Sequence, residues 1–217
     1  MAPFITFEGI EGSGKTTQIR LLAEHLSTQN IKVVQTREPG GCPIADQIRG
    51  ILLHPNNAAM DSRTELLLYA AARAQHIEQI VQPALNSGKI VLCDRFTDAT
   101  LAYQGDGRGL DRNLIQQLNA LATGECRPDL TLLFDLPVDV GIKRAQQRET
   151  ELQDSSEGRF EREQLDFHQR IRDGYLSLAN AEPHRVKIVV AERPAAEVFV
   201  QVRDIVEHFL SLKVEAL

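Results

Sequence analysis

Tryptophan is absent from this chain of 217 residues, and cysteine occurs three times, as Cys42, Cys93 and Cys126. An odd number of cysteines without a Cys-x-x-Cys spacing or a nearby histidine group excludes a disulfide scaffold and disfavours a zinc site, so free thiols are expected. Nowhere do about 18 apolar residues follow one another, and the opening MAPFITFEGI carries no basic segment leading into an apolar run. A cytoplasmic protein without a membrane partner is therefore expected. Basic excess is missing too. The net charge of −6 disfavours a nucleic acid polymer as partner, because such surfaces collect Lys and Arg on one face. Neither an internal repeat nor a low-complexity stretch is found. What is present, 42% hydrophobic and 25% charged residues, suits a soluble globular protein with one core, read as a single domain over 1–217.

Apolar, β-branched runs at Phe4 to Phe7, Ile31 to Gln35, Ile90 to Cys93, Leu130 to Phe134 and Val186 to Val190 predict strands. Because they are apolar almost throughout, they predict a parallel sheet covered on both faces. Helical spacing is clear over Thr16 to Leu26, Asp61 to Leu85, Arg112 to Leu121 and Ala195 to Leu212. The order is α/β. Two segments interrupt it: REPGGCP at Arg37 to Pro43, a tight loop by its Pro and Gly content, and ETELQDSSEG at Glu149 to Gly158, a surface connection or a lid.

Gly9 to Thr16 reads GIEGSGKT, which fits the phosphate-loop pattern G-x-x-x-x-G-K-[ST]. It lies after a strand and before a helix, as the chemistry requires. The glycines let successive backbone N–H groups turn inward onto phosphate oxygens, and the helix start adds its positive end. Lys15 is expected to neutralise the β- and γ-phosphates of ATP, with Thr16 on magnesium. Asp94, ending the run IVLCD, stands where a carboxylate meets the magnesium shell. The next residue is Arg95, where hydrolytic relatives often carry a glutamate that prepares water; an arginine favours holding a second phosphate. Asn-Lys-x-Asp, the guanine-reading string of GTP switches, does not occur. Arg37 and Arg95 each follow a strand at the edge where open α/β sheets bind ligands, and guanidinium groups grip phosphate through paired hydrogen bonds. Phosphoryl transfer from ATP to a phosphorylated acceptor is the reading these residues support.

Four segments in order resemble the thymidylate kinase family: FEGIEGSGKTT at Phe7 to Thr17, TREPGG at Thr36 to Gly41, ELLLYAAARAQH at Glu65 to His76, and DRFTDATLAYQGDGRGLD at Asp94 to Asp111. The resemblance implies a P-loop nucleoside monophosphate kinase fold, a three-layer αβα arrangement with a five-stranded parallel sheet, that forms a homodimer and converts ATP and dTMP to ADP and dTDP. It implies an ATP site at Gly9, Glu11, Gly12, Ser13, Gly14, Lys15, Thr16 and Thr17. It implies a dTMP site at Glu11, Arg37, Pro39, Tyr69, Arg73, Arg95, Thr100, Tyr103 and Gln104. There Tyr69 stacks on thymine, Arg73 reaches a thymine carbonyl, Thr100 and Gln104 face the base edge, Tyr103 excludes a ribose 2′-hydroxyl and Glu11 meets the sugar 3′-hydroxyl.

Gly12, in place of an arginine, implies the arrangement in which the lid near 144–160 supplies the catalytic arginine. Lys15, Arg37, Arg95 and Arg148 are the expected catalytic set, with Arg159 the alternative to Arg148 and Arg144 beside adenine. Gln146 stands where relatives often have another arginine. Ala72 replaces a commonly acidic residue, which predicts that Arg73 lacks its usual orienting partner. The apolar helix Leu66 to Val81 is expected to serve a dimer interface or the internal core. A kinase of another nucleoside monophosphate or of a deoxynucleoside and a nucleotide-dependent switch are the competing readings.

Overall fold

The computed structural model describes residues 2–152, 159–160 and 163–215, with the side chains of 148, 149, 151, 152, 214 and 215 outside that description. Five parallel strands, β1 Phe4–Glu8, β2 Val33–Arg37, β3 Ile90–Asp94, β4 Leu130–Asp135 and β5 Val186–Val190, form one sheet in the order β2-β3-β1-β4-β5. β1 occupies the centre, paired with β3 on one side and β4 on the other.

Alternation along β1 assigns its two faces. Ile5 and Phe7 join Leu22 and Leu26 of helix α1 (Lys15–Thr28) in the larger core cluster, whereas Phe4 packs with Val91, Cys93 and Phe96. Each such fully buried side chain contributes about 1.5–3 kcal/mol relative to exposure. Helix α1 contacts β2, β3 and the last helix, α9 (Ala195–Glu215). Helices α2 (Pro43–Leu53), α3 (Ser62–His76) and α6 (Arg112–Thr123) contact one another in the order α2, α3, α6. α7 (Val138–Leu152) packs on α8 (Leu165–Ala181).

β2 begins two residues later than the sequence predicts. The end of α1 continues through Asn30, at φ 59°, and the Ile31 amide donates back to the Leu26 carbonyl, so the chain is still closing the helix where the strand was expected. The helix predicted over Asp61 to Leu85 forms in three pieces: α3, a π-helical turn at Ile77–Val81 and α4 (Gln82–Asn86). Pro83 lacks an N–H and its ring crowds the preceding turn, and the wider turn accommodates both. A second π-helical stretch, Leu101–Gly107, continues the short α5 (Thr97–Thr100). α2 was not anticipated: Pro43, read as the end of a loop, is its first residue, where a missing N–H costs nothing.

Candidate active site

The carboxyl ends of β1, β2 and β3 lie side by side, since Phe7 pairs with Asp94 and Asp94 with Arg37. Everything that follows these strands therefore shares one edge of the sheet: the loop 9–14, Arg37 and the Asp94–Arg95 pair. Gly9, Gly12 and Gly14 carry φ values of 134°, 70° and 87°, conformations that favour glycine. Gly14 caps α1 without a side-chain hydrogen bond, which leaves the first amides of the helix free for phosphate oxygens. Lys15 folds into the loop, donating to the Gly9 carbonyl at 3.0 Å, the Ile10 carbonyl at 2.9 Å and Ser13 Oγ at 3.1 Å. Burial, then the charge of Arg95, pushes its ammonium down to about 8. Thr16 Oγ1 donates to Asp94 Oδ2 at 3.2 Å, while Thr17 is exposed on the same turn of α1.

Arg95 organises the centre. Its guanidinium donates to the Gly9 carbonyl at 2.9 Å, to Glu11 Oε1 at 2.9 Å and to the Tyr175 hydroxyl at 3.3 Å, and lies over the Tyr103 ring at 4.8 Å. Tyr103 donates to the same Glu11 oxygen at 2.6 Å. Burial would raise the Glu11 carboxyl, but the Arg95 charge, the nearby His168 at 3.5 Å and the Tyr103 hydrogen bond outweigh it and hold the group well below the usual carboxylate range. Beneath them Glu8, fully buried, accepts from the Phe96 amide and the Tyr175 hydroxyl at 2.7 Å each, and burial with the nearby Asp98 charge pushes it up to about 8.

Helix α3 contributes a stripe. Glu65, Tyr69 and Arg73 recur every four residues and so share a face. Opposite lies the α5 segment with its π-helical continuation. Arg73 donates to Thr100 Oγ1 at 2.9 Å, and Gln104 Nε2 donates to Glu65 Oε1 at 2.8 Å. Tyr69 thus sits between two polar rungs, half-buried and packed against the main core. Arg73 is almost wholly buried. It also donates to Glu38 Oε2 at 2.7 Å, Asn119 Oδ1 at 2.6 Å and the Phe96 carbonyl at 3.0 Å. Arg73, without an acidic neighbour at position 72, is oriented instead by Glu38, from the loop after β2, and His76 Nδ1 lies 2.9 Å from the other Glu38 oxygen.

This geometry has relatives. A profile of the thymidylate kinase family matches residues 7–202. The chain belongs to the thymidylate kinase family. The thymidylate kinase of Syntrophotalea carbinolica is 60% identical over 198 residues, which cover 91% of this chain and 92% of that protein. That of Geobacter sulfurreducens is 61% identical over 189 residues, covering 87% and 89%. The crystal structure of thymidylate kinase from Ehrlichia chaffeensis superposes with a TM-score of 0.76 at 37% identity, covering 94% of this chain and 98% of that one.

Of the thymidylate kinase site residues expected from sequence, Arg37 stands apart from the Arg95 cluster. Its side chain is 55% exposed, 3.7 Å from Asp46 Oδ1. Pro39 is buried, and its carbonyl accepts from Arg49 at 2.9 Å. Arg144 reaches the Ala191 carbonyl at 3.1 Å, beyond β5. The side chain of Arg148 lies outside the described residues, as does most of the polar stretch 149–158 except where α7 carries it to Leu152. Arg159 is 5% exposed and held by Glu65 Oε2 at 2.6 Å and the Leu52 carbonyl at 3.1 Å, a placement away from the phosphate loop's own contacts. Sequence reasoning missed Glu8, Tyr175, His168, Glu38 and Glu65. Only Glu65 left a readable signal, the four-residue spacing to Tyr69 and Arg73.

Proposed function

We propose that this chain transfers the γ-phosphoryl group of ATP to dTMP. A phosphate oxygen of dTMP attacks the γ-phosphorus, the bond from that phosphorus to the β-bridging oxygen breaks, and ADP leaves with the electron pair. The observation that carries the reading is the meeting, at one sheet edge, of the phosphate loop and Arg95 with an aromatic ring flanked by polar rungs on α3 and the α5 segment. The first suits a triphosphate and the second a flat base with hydrogen-bonding edges.

Positioning and fixed positive charge are most of what a protein adds to a loose phosphoryl transition state. Lys15, redirected from the loop oxygens, serves the transferring group. Arg95 and Arg37 hold the acceptor phosphate, and Arg148 of α7 is the lid arginine on this reading, within a lid in 144–160. Glu11 and Tyr103 line the sugar. Thr16 and Asp94 offer hard oxygen donors in contact with each other, which fits magnesium, an ion that takes a protein ligand or two and leaves its remaining positions to phosphate and water. When bound, that ion would neutralise charge on the triphosphate.

Single-domain organisation, a homodimer and a cytoplasmic site of action belong to the same proposal. Among the described residues no helix is long and apolar enough to cross a membrane. The dimer is supported by exposed apolar side chains on adjoining helices, Ile44 and Ile51 of α2, Leu67 of α3 and Leu121 of α6. The pattern Leu66 to Val81 itself serves the internal core, where Leu66, Ile77 and Val81 are buried. The test is ADP release from ATP and magnesium with each nucleoside monophosphate supplied in turn and with none. Turnover chiefly with dTMP is expected; equal release without an acceptor would make water the substrate and overturn the reading.

A further inference from the structure

Glu65 is fully buried and receives four hydrogen bonds: Gln104 Nε2 at 2.8 Å and Arg108 Nε at 3.3 Å on Oε1, Arg108 Nη2 at 3.2 Å and Arg159 Nη2 at 2.6 Å on Oε2. A carboxylate between two guanidinium groups offers acceptors only. The nitrogen and oxygen of an amide exchange places by a flip of the group, and the surrounding network decides which way it points. Here the decision is forced. Gln104 must turn its NH2 to Glu65, and its Oε1 then faces away, where no described residue donates to it.

We infer that Glu65 is a specificity-determining positioning residue, which fixes Gln104 so that an acceptor, and not a donor, is presented to the base. This rests on the dTMP reading above. Thymine shows an acceptor at O4 and a donor at N3–H. Arg73, one rung away, brings a guanidinium whose donors outnumber its partners: five N–H groups against four hydrogen bonds. Arg73 and Gln104 Oε1 together form a donor and an acceptor, complementary to the O4 and N3–H edge. Cytosine reverses both groups, with an amino donor at C4 and an acceptor at N3, so it meets donor with donor and acceptor with acceptor. Sites that leave polar groups unpaired reject strongly. Uracil presents the same edge as thymine and is not discriminated by this rung.

Glu65→Gln makes the test sharp. Arg108 and Arg159 claim the single amide oxygen of the new side chain, its NH2 turns to Gln104, and Gln104 is driven to flip and offer its own NH2 to the base. The dTMP-to-dCMP ratio of kcat/KM is expected to fall about tenfold or more, while the dTMP-to-dUMP ratio stays as in the unsubstituted enzyme. Glu65→Asp, which keeps an acceptor, is expected to retain most of the dCMP discrimination. If folded Glu65→Gln, checked by a cooperative denaturation curve, holds its dTMP-to-dCMP ratio within about twofold, or loses all base preferences in parallel as general damage would, the inference is overturned. Should that variant fail to fold, 3-methyl-dTMP with the unsubstituted enzyme decides: the analogue lacks N3–H and is expected to be turned over poorly, and turnover equal to dTMP would overturn the inference. Absence of dTMP turnover in the unsubstituted enzyme would instead overturn the function on which it rests.

Discussion

Lys15 shows how a single residue can be strained electrostatically before its ligand arrives. Buried among loop carbonyls and near Arg95, its ammonium titrates near 8 in the free protein. Phosphate oxygens favour the charged form, so ATP binding takes up a proton wherever Lys15 starts neutral. The sign follows: affinity for ATP is expected to hold below about pH 8 and to weaken as pH rises above it. Calorimetry in buffers of different ionisation enthalpy should register proton uptake that is small at pH 7, about half a proton at pH 8 and larger above it. Lys15→Ala should abolish the uptake and lower kcat by about a hundredfold or more.

Glu38 makes a second residue-scale prediction. Its carboxylate is 3% exposed and holds Arg73, itself 2% exposed, so Glu38→Ala leaves a buried guanidinium without its counter-charge. A loss of about 3–5 kcal/mol in stability is expected from urea denaturation, with a raised KM for dTMP in whatever remains folded. The phosphate ligands were legible in sequence because a loop of eight residues contains its own chemistry. The partners of Glu38 and Glu65 were not, although Glu65 shares the four-residue spacing of Tyr69 and Arg73. The two carboxylates lie 35 and 39 residues from the side chains they orient, and no local spacing announces a partner across that distance.

Among the elements, the contact between the phosphate loop and α7 explains the glycine that sorts this chain with the lid-arginine arrangement. Gly12 has φ 70°, and a β-carbon there would overlap the Gly141 carbonyl in α7. An arginine cannot be transplanted into this loop while α7 stays in place. Gly12→Arg is therefore expected to lower stability by at least about 1–3 kcal/mol for the backbone alone and to reduce kcat rather than supply a substitute for the lid. Denaturation and steady-state kinetics on the same sample check both. Strand and helix existence was readable from apolar runs and spacing. The π-helical turns at Ile77–Val81 and Leu101–Gly107 were not, because their wider pitch answers tertiary packing and leaves the 3.6-residue pattern almost unchanged over so short a span.

For the whole molecule, the predicted parallel sheet is what the chain forms, and its three inner strands β1, β3 and β4 are buried on both faces, whereas the edge strands β2 and β5 are only partly covered, with Ile188 and Val190 exposed. The proposed association of two copies is tested at this scale. Leu67 is 56% exposed on α3 beside α2, whose Ile44 and Ile51 are also exposed. Leu67→Glu is expected to convert a dimer into monomers in sedimentation velocity while leaving the cooperative unfolding transition in place. A monomer before substitution would refute the homodimer.

The central place of β1 has a consequence for how the protein is made. Phe4–Glu8 leaves the ribosome before both of its neighbours, β3 and β4, which end at Asp94 and Asp135. At translation rates of about 5–20 residues per second, the strand waits on the order of ten seconds for both flanks. Throughout that interval an apolar segment with two open hydrogen-bonding edges is attached to a phosphate loop that has no sheet to brace it. The nascent chain is thus barred from nucleotide, and is most open to chaperones, until β4 has been synthesised.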